Sequence, residues 1–212
     1  MNIADTRKEY KQQSLLERGI EKSPFKQFEK WWNDATHSAI EEPNAMTLAT
    51  ASATGLPAAR IVLLKGYDEK GFVFFSNYDS FKGMQLDENP RACLVFFWKE
   101  LERQVRVTGL VEKTTTEESD NYYNSRPATS RIGAWASPQS RVIKDREWLE
   151  KNEKKYTASF EGTRIARPAN WGGYRVIPVT IEFWQGRASR LHDRIQYTLQ
   201  ETGGWQTERL AP

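Results

Sequence analysis

The sequence predicts a mainly β chain of the α+β class, an antiparallel β-barrel with flanking helices. Three observations lead there. From Ala45 onward the chain is a series of short runs rich in β-branched and aromatic residues, broken by turn residues. No long helix alternates regularly with these runs, so the crossover connections of a parallel sheet are missing. The runs follow one another closely enough to pair antiparallel, and closing such a sheet into a barrel removes its exposed edges. A length of 212 residues suits one core rather than two.

Taken in order, residues 1–22 are polar with no sustained period and are expected to form a mobile N-terminal arm; residues 23–212 form the single domain. Ser23-Pro24 supplies a cap followed by proline at the first helical position. Phe25, Phe28, Trp32 and Ala35 then recur at helical spacing, which predicts a helix from Pro24 to Ser38. The β-rich runs are MTLATASA, AARIVLLKGY, FVFFSNY, RACLVFFW, RQVRVTGLVEK, YRVIPVTIEFWQG, RLHDRIQYTLQ and WQTERL, about eight strands. Helical patterns over Ser80–Asp87, Thr116–Asn124 and Arg146–Phe160 read as excursions on the outside of the barrel.

Composition narrows the function classes. No apolar run approaches the ~18–20 residues that cross a bilayer, and the charged N-terminus lacks the apolar block of a secretory signal, so a cytoplasmic location is expected. The single cysteine, Cys93, excludes an intramolecular disulfide and reads as a small buried thiol. With two histidines besides, soft and imidazole ligands are too few for a typical zinc site, and no metal is expected. A net charge of +3, from 31 Lys and Arg against 28 Asp and Glu, is mild for a nucleic-acid binder and fits local anion sites better.

Four stretches hold candidate chemistry. Arg60 and Lys65 bracket an apolar strand; five positions apart, they fall on opposite faces of a regular strand. Ser76 to Gly83 follows a strand and opens a helix, a common place for an anion to meet free backbone N–H groups and, here, Lys82. Tyr122, Arg126 and Ser130 are spaced by four, yet Pro127 argues for two helices meeting at Arg126-Pro127 rather than one. Trp184 and Arg190 flank QGRAS, and a simple hairpin register puts them opposite each other. A strand beyond would align Arg190, His192 and Arg194 on one face. Each stretch also has an ordinary structural reading, and the signatures GxxxxGK, GxGxxG, GxSxG and HExxH are absent. Residue chemistry alone reaches a barrel with phosphate-sized anion sites and stops short of a reaction.

The set RIVLLK, FFSNYDSFKG, ERQVRVTG, YYNSRPATSRIGAWASPQS, EFWQGRASRLHDR and the terminal ERLAP, in this order from RKEY at Arg7–Tyr10 to Pro212, resembles the pyridoxine/pyridoxamine 5′-phosphate oxidase family. The resemblance implies an FMN-binding split β-barrel that works as a homodimer, with FMN in clefts between subunits. It implies oxidation of pyridoxine 5′-phosphate and pyridoxamine 5′-phosphate to pyridoxal 5′-phosphate, with O₂ as acceptor and H₂O₂ as product. It places FMN contacts on Arg60, Ile61, Val62, Leu63, Leu64 and Lys65, on Phe75, Ser76, Lys82 and Gln104, and on Gln139, Ser140, Trp184 and Arg194. Substrate contacts fall on Lys65, Tyr122, Arg126 and Ser130 around the phosphate and on Arg190, Leu191 and His192 near the ring, with Arg190 and His192 as the catalytic pair. Arg7, Lys8, Glu9 and Tyr10 resemble a segment that covers the substrate. Phe81 departs from the pattern, standing where the family usually has an arginine before the lysine. A flavin or pyridoxal-phosphate carrier on the same barrel and a nucleic-acid-binding barrel are the competing expectations.

Overall fold

The structure is a computed structural model, and it describes residues 2–3 and 9–212. Among them nine strands form one antiparallel sheet: β1 (Ala45–Ala51), β2 (Pro57–Leu63), β3 (Gly66–Asp68), β4 (Gly71–Asn77), β5 (Arg91–Trp98), β6 (Arg103–Lys113), β7 (Trp171–Gln185), β8 (Asp193–Leu199) and β9 (Trp205–Leu210). The extra strand comes from AARIVLLKGY, which breaks at Leu64-Lys65. There the Leu64 N–H turns to the Asn44 carbonyl and the Lys65 N–H to the Val73 carbonyl.

That break closes the barrel. The sheet order is β2-β1-β5-β6-β7-β4-β3, with β8 on β7 and β9 on β8. β2 and β3 thus stand at opposite ends of the path while only two residues separate them in sequence, so the sheet curls until its ends meet. The fifteen-residue β7 splits the sheet. It pairs with β6 along its length, through a register shift at Thr108/Gly109, whereas its other edge serves β4 from Trp171 to Val176 and β8 from Thr180 to Gln185.

Alternation gives each strand an inner and an outer row. Leu48, Leu94, Phe96, Val105, Val107, Ile181, Phe183, Ile195 and Tyr197 point inward and are almost wholly buried. Helix α1 (Pro24–Thr36) covers the core, its Phe28 ring packing edge-on at 4.8 Å from Tyr67 and 4.9 Å from Phe72. The outer row holds Ile61 and Phe97, at 65% and 54% exposure. Cys93 lies on this outer side too, half-buried rather than in the core, because it is out of phase with Leu94.

The remaining helices hang from the strands as anticipated: α2 (Phe81–Glu88), α3 (Thr116–Ser125), α4 (Ala128–Ala136) and α5 (Arg146–Ser159). α3 begins with a complete Thr115–Glu118 capping box and ends at Arg126-Pro127, where proline cannot continue its hydrogen bonding. No helix of the described residues is long and apolar enough to cross a membrane.

Candidate active site

A cleft of about 510 Å³ opens where β2, β4, α2, α3, α4 and the turn after α4 converge. Its walls hold Ile61, Val62, Leu63, Lys65, Phe75, Ser76, Lys82, Tyr122, Arg126, Ser130 and Gln139, all singled out in the sequence. They also hold Asn77, Gly133, Ala134, Ser137 and Trp171, which the sequence did not mark. Trp171 matters most of these. Its ring lies nearly parallel to Phe75 at 5.7 Å and Tyr122 at 6.2 Å, with Phe75 and Tyr122 stacked at 3.9 Å.

Two cationic centres face this cleft. Lys82 is buried, and its ammonium donates only to neutral oxygens: Ser76 Oγ at 3.1 Å, Ser80 Oγ at 3.2 Å and Gln139 Oε1 at 3.1 Å. Burial, reinforced by the Arg60 charge, holds its pKa down to about 8. Gly83 seats it, since a Cβ there would lie 1.9 Å from the Tyr78 carbonyl oxygen and push α2 off the Ser76–Ser80 turn. Arg60 stands behind, donating to Leu48 O, Thr50 Oγ1 and Ala58 O; burial lowers its pKa as well.

The second centre is Arg126, which caps α3. Its guanidinium lies 4.6 Å over the Trp171 ring, burial depresses its pKa, and its buried NH1 has no hydrogen-bond partner. Lys65 reaches the same aromatic group, with Nζ 6.0 Å from the Tyr122 centroid. Buried cations facing only neutral acceptors, or nothing, are costly unless an anion joins them. The cleft therefore fits a ligand that carries anionic groups beside a flat ring, as FMN and a pyridoxine phosphate both do.

The other expected residues lie elsewhere. Leu64 is buried in the core, and Ser140 follows Gln139 in a left-handed turn with φ of 69°. Gln104, Trp184 and Arg194 form one row across β6, β7 and β8, next to Phe97. Arg194 donates to Glu182 Oε1 at 2.8 Å and to the Ala211 carbonyl; Arg106 pairs with Glu182 from the other side. In the neighbouring outer row Ile61, a wall of the cleft, and Glu182 are four strands apart, roughly 19 Å at ~4.8 Å per step. None of Gln104, Trp184 and Arg194 is among the walls of the chain's own cleft.

The hairpin register differs from expectation. Trp184 opposes Arg194, not Arg190, and β8 begins only at Asp193, so Arg190, His192 and Arg194 do not form a strand row. The connection is longer because Ser189 and Arg190 adopt left-handed conformations, with φ of 56° and 61°, and because His192 Nδ1 accepts the Arg187 N–H at 3.1 Å. Likewise Arg60 and Lys65 do not share a regular strand, since β2 ends at Leu63. His192 packs 4.6 Å from Trp184, its pKa lowered by burial and by Arg190; Leu191 is exposed. Tyr10 meets both rings edge-on, at 5.7 Å from Trp184 and 6.0 Å from His192, and Glu9 pairs with Lys11. Arg7 and Lys8 lie outside the described residues.

The chain is similar to known proteins over nearly its whole length. Residues 33–159 match the family model for pyridoxamine 5′-phosphate oxidase, and residues 171–212 match that for the pyridoxine 5′-phosphate oxidase C-terminal dimerisation region. The pyridoxine/pyridoxamine 5′-phosphate oxidase of Trichormus variabilis is 54% identical over 210 residues, covering 99% of this chain and 98% of its own. That of Paraburkholderia phymatum is 56% identical over 210 residues, covering 99% of each. Among solved structures, PhzG from Burkholderia lata 383, in complex with tetrahydrophenazine-1-carboxylic acid, superposes with a TM-score of 0.86 at 29% identity, covering 92% of this chain and 95% of its own. Two family models in their proper order, and relatives more than half identical from end to end, show that the chain belongs to the pyridoxine/pyridoxamine 5′-phosphate oxidase family.

Proposed function

We propose that this protein binds FMN and oxidises pyridoxine 5′-phosphate and pyridoxamine 5′-phosphate to pyridoxal 5′-phosphate in the cytoplasm. The alcohol and O₂ give the aldehyde and H₂O₂; the amine consumes one water in addition and releases ammonia. The observation that carries the reading is the pair of cationic centres at one cleft, Lys82 backed from outside its walls by Arg60, and Arg126 with Lys65, with no carboxylate among their hydrogen-bond partners in the described residues. Two phosphates, one from the cofactor and one from the substrate, satisfy both. FMN held there would supply the redox chemistry, a two-electron oxidation of the substrate at its 4′ carbon with O₂ as the final acceptor.

The chain's own groups bind and orient. Lys82, Ser76 and Gln139 hold the flavin phosphate with Arg60 behind them, and Ser140 shapes the turn beside it; Ile61 to Leu63 and Phe75 line the cleft around the ring, with Leu64 backing them from the core. Lys65, Tyr122, Arg126 and Ser130 take the substrate phosphate. In His192, Nδ1 is occupied as an acceptor, so the neutral ring carries its proton on Nε2 and presents a donor. Burial, and then the Arg190 charge beside it, lower the imidazole's pKa, and Arg190 offers a second donor. Across a two-fold contact with a second copy both would face the substrate ring in the partner's cleft, since neither lines the cleft of its own chain.

The row of Gln104, Trp184 and Arg194 joins through a second copy. Ile61 at one side of the outer face belongs to the cleft, and Trp184 sits at the other side. Two copies meeting face to face about a two-fold axis bring each row against the partner's cleft and form two equal composite sites. The exposed Ile61 and Phe97 suit such a contact, and the family's dimerisation region spans β7 to β9. The test is direct: the purified protein is yellow, releases FMN on denaturation, and forms H₂O₂ when given pyridoxine 5′-phosphate. A colourless protein that refuses added FMN overturns the reading, and FMN binding without turnover supports the carrier alternative.

A further inference from the structure

Asp193, next to His192, is the junction of three chain segments. Its Oδ1 accepts from Arg209 NH1 of β9 at 2.8 Å, and its Oδ2 accepts the Leu15 N–H at 3.0 Å and lies 3.5 Å from Arg187 NH1. Arg209 in turn grips Glu17 with two bonds, Nε to Oε1 at 2.6 Å and NH2 to Oε2 at 2.9 Å, and donates to the Leu15 carbonyl at 2.8 Å. Upstream, Glu102 Oε2 accepts the N–H groups of Lys11 and Gln12. Leu15 is buried, so this stretch of the N-terminal segment is anchored by packing as well as by charge.

The loop on the other side of Asp193 needs support. Two successive non-glycine residues, Ser189 and Arg190, sit in the left-handed region, which persists only where surrounding contacts over-determine it. Among the described residues those contacts are Arg187 N–H to His192, Leu191 N–H to the Ala188 carbonyl, Gly186 N–H to the Glu102 carbonyl, the Arg187–Asp193 pair and a 3.5 Å contact from Arg187 NH1 to the Gln13 carbonyl. Tyr10 completes them by lying across His192 and Trp184. Gly186 makes room for it, since a Cβ there would come 2.7 Å from Tyr10 Cγ.

We propose that Glu17, Arg209 and Asp193 are positioning residues: they latch residues 10–17 onto the 186–193 loop, so that Tyr10 bears on His192 and the loop presents Arg190 and His192 in one geometry. The inference rests on the assignment of those two residues to the substrate. None of the three latch residues lines the cleft; they act through Tyr10 and the loop backbone.

The experiment uses FMN-loaded protein and the variants Glu17→Ala, Asp193→Ala, Tyr10→Ala and Glu17→Ala/Tyr10→Ala. Glu17 is exposed, so its variant folds even if Asp193→Ala does not. Expected is a fall in kcat/KM for pyridoxine 5′-phosphate of about threefold for Glu17→Ala and about tenfold for Asp193→Ala, the range between an exposed and a half-buried charge contact. FMN affinity stays within about twofold, since the latch shares no bond with the cleft. In the Tyr10→Ala background, Glu17→Ala changes little more, because both act along one path. His192 gives a second readout, being one of only two histidines: in ¹⁵N-histidine-labelled protein its titration moves up toward the ordinary imidazole range in Glu17→Ala. Full additivity of Glu17→Ala with Tyr10→Ala, or an unmoved His192 titration, overturns the latch and leaves the network as a staple of the chain ends. If the unmodified protein does not turn over, the functional reading fails, and the His192 titration still decides the latch.

Discussion

Arg126→Ala separates a ligand-binding cation from a structural one. In the ligand-free protein the guanidinium brings two opposed contributions. Its stack over Trp171 is worth roughly 0.5–2 kcal/mol, and its buried, unpartnered NH1 costs about 1–3 kcal/mol. Truncation removes both, so the apo melting temperature should change by no more than a few degrees, about 2–4 °C for each kcal/mol in a chain of this size. With substrate present the balance is one-sided, because a charge-assisted bond to phosphate worth about 1.5–3 kcal/mol is lost, roughly ten- to a hundredfold in affinity. FMN affinity should change far less, since Arg126 shares no hydrogen-bond partner with Lys82 or Arg60. Calorimetric titration with FMN and with pyridoxal 5′-phosphate, beside an apo melt, reads all three quantities. Equal losses for both ligands, or an apo melt lowered by more than about 10 °C, would refute the reasoning.

Lys82 predicts a pH dependence with a definite sign. Its folded pKa, about 8, lies below the ordinary 10.5, so between these values the unfolded chain holds the proton and the folded one does not; this group therefore raises apo stability as pH climbs through that window. The flavin phosphate needs the ammonium form, so FMN binding weakens over the same window and takes up a proton; Lys82→Met should bind weakly with a flat profile, and a wild-type profile equally flat would count against the assignment. Phe81→Arg should tighten FMN by at most roughly tenfold without lowering the apo melt, because Phe81 is 48% exposed at the start of α2 and an arginine there need not be buried; a lower melt with no gain in affinity removes the missing-contact explanation. Arg190→Ala and His192→Ala should slow flavin reduction in single-turnover experiments, with His192→Gln, whose amide N–H falls near Nε2, keeping more rate than His192→Asn. A rise in KM alone for these variants would make them binding residues only.

Much of the molecule was legible in local sequence. Alternation marked the strands, Ser23-Pro24 the start of α1 and Pro127 the break between α3 and α4, because these features follow from backbone geometry within a few residues. The cleft cations were legible as residue types at rims and caps, and the resemblance gave their grouping. Trp171 was missed, since a tryptophan opening a strand carries no sign of which way it faces. Tertiary structure alone decided the rest. The Leu64-Lys65 break, and with it barrel closure, depends on Asn44 and Val73 taking the two N–H groups. The true Trp184–Arg194 register depends on a loop held by His192 and Glu102. Lys82 is a buried ammonium rather than a solvated lysine only because Ser76 and Gln139, 63 positions apart, fold against it. Local pattern specifies which groups a strand or helix can present, while burial and pairing between distant segments set how strongly each group is charged, which partners it lacks and what it can bind.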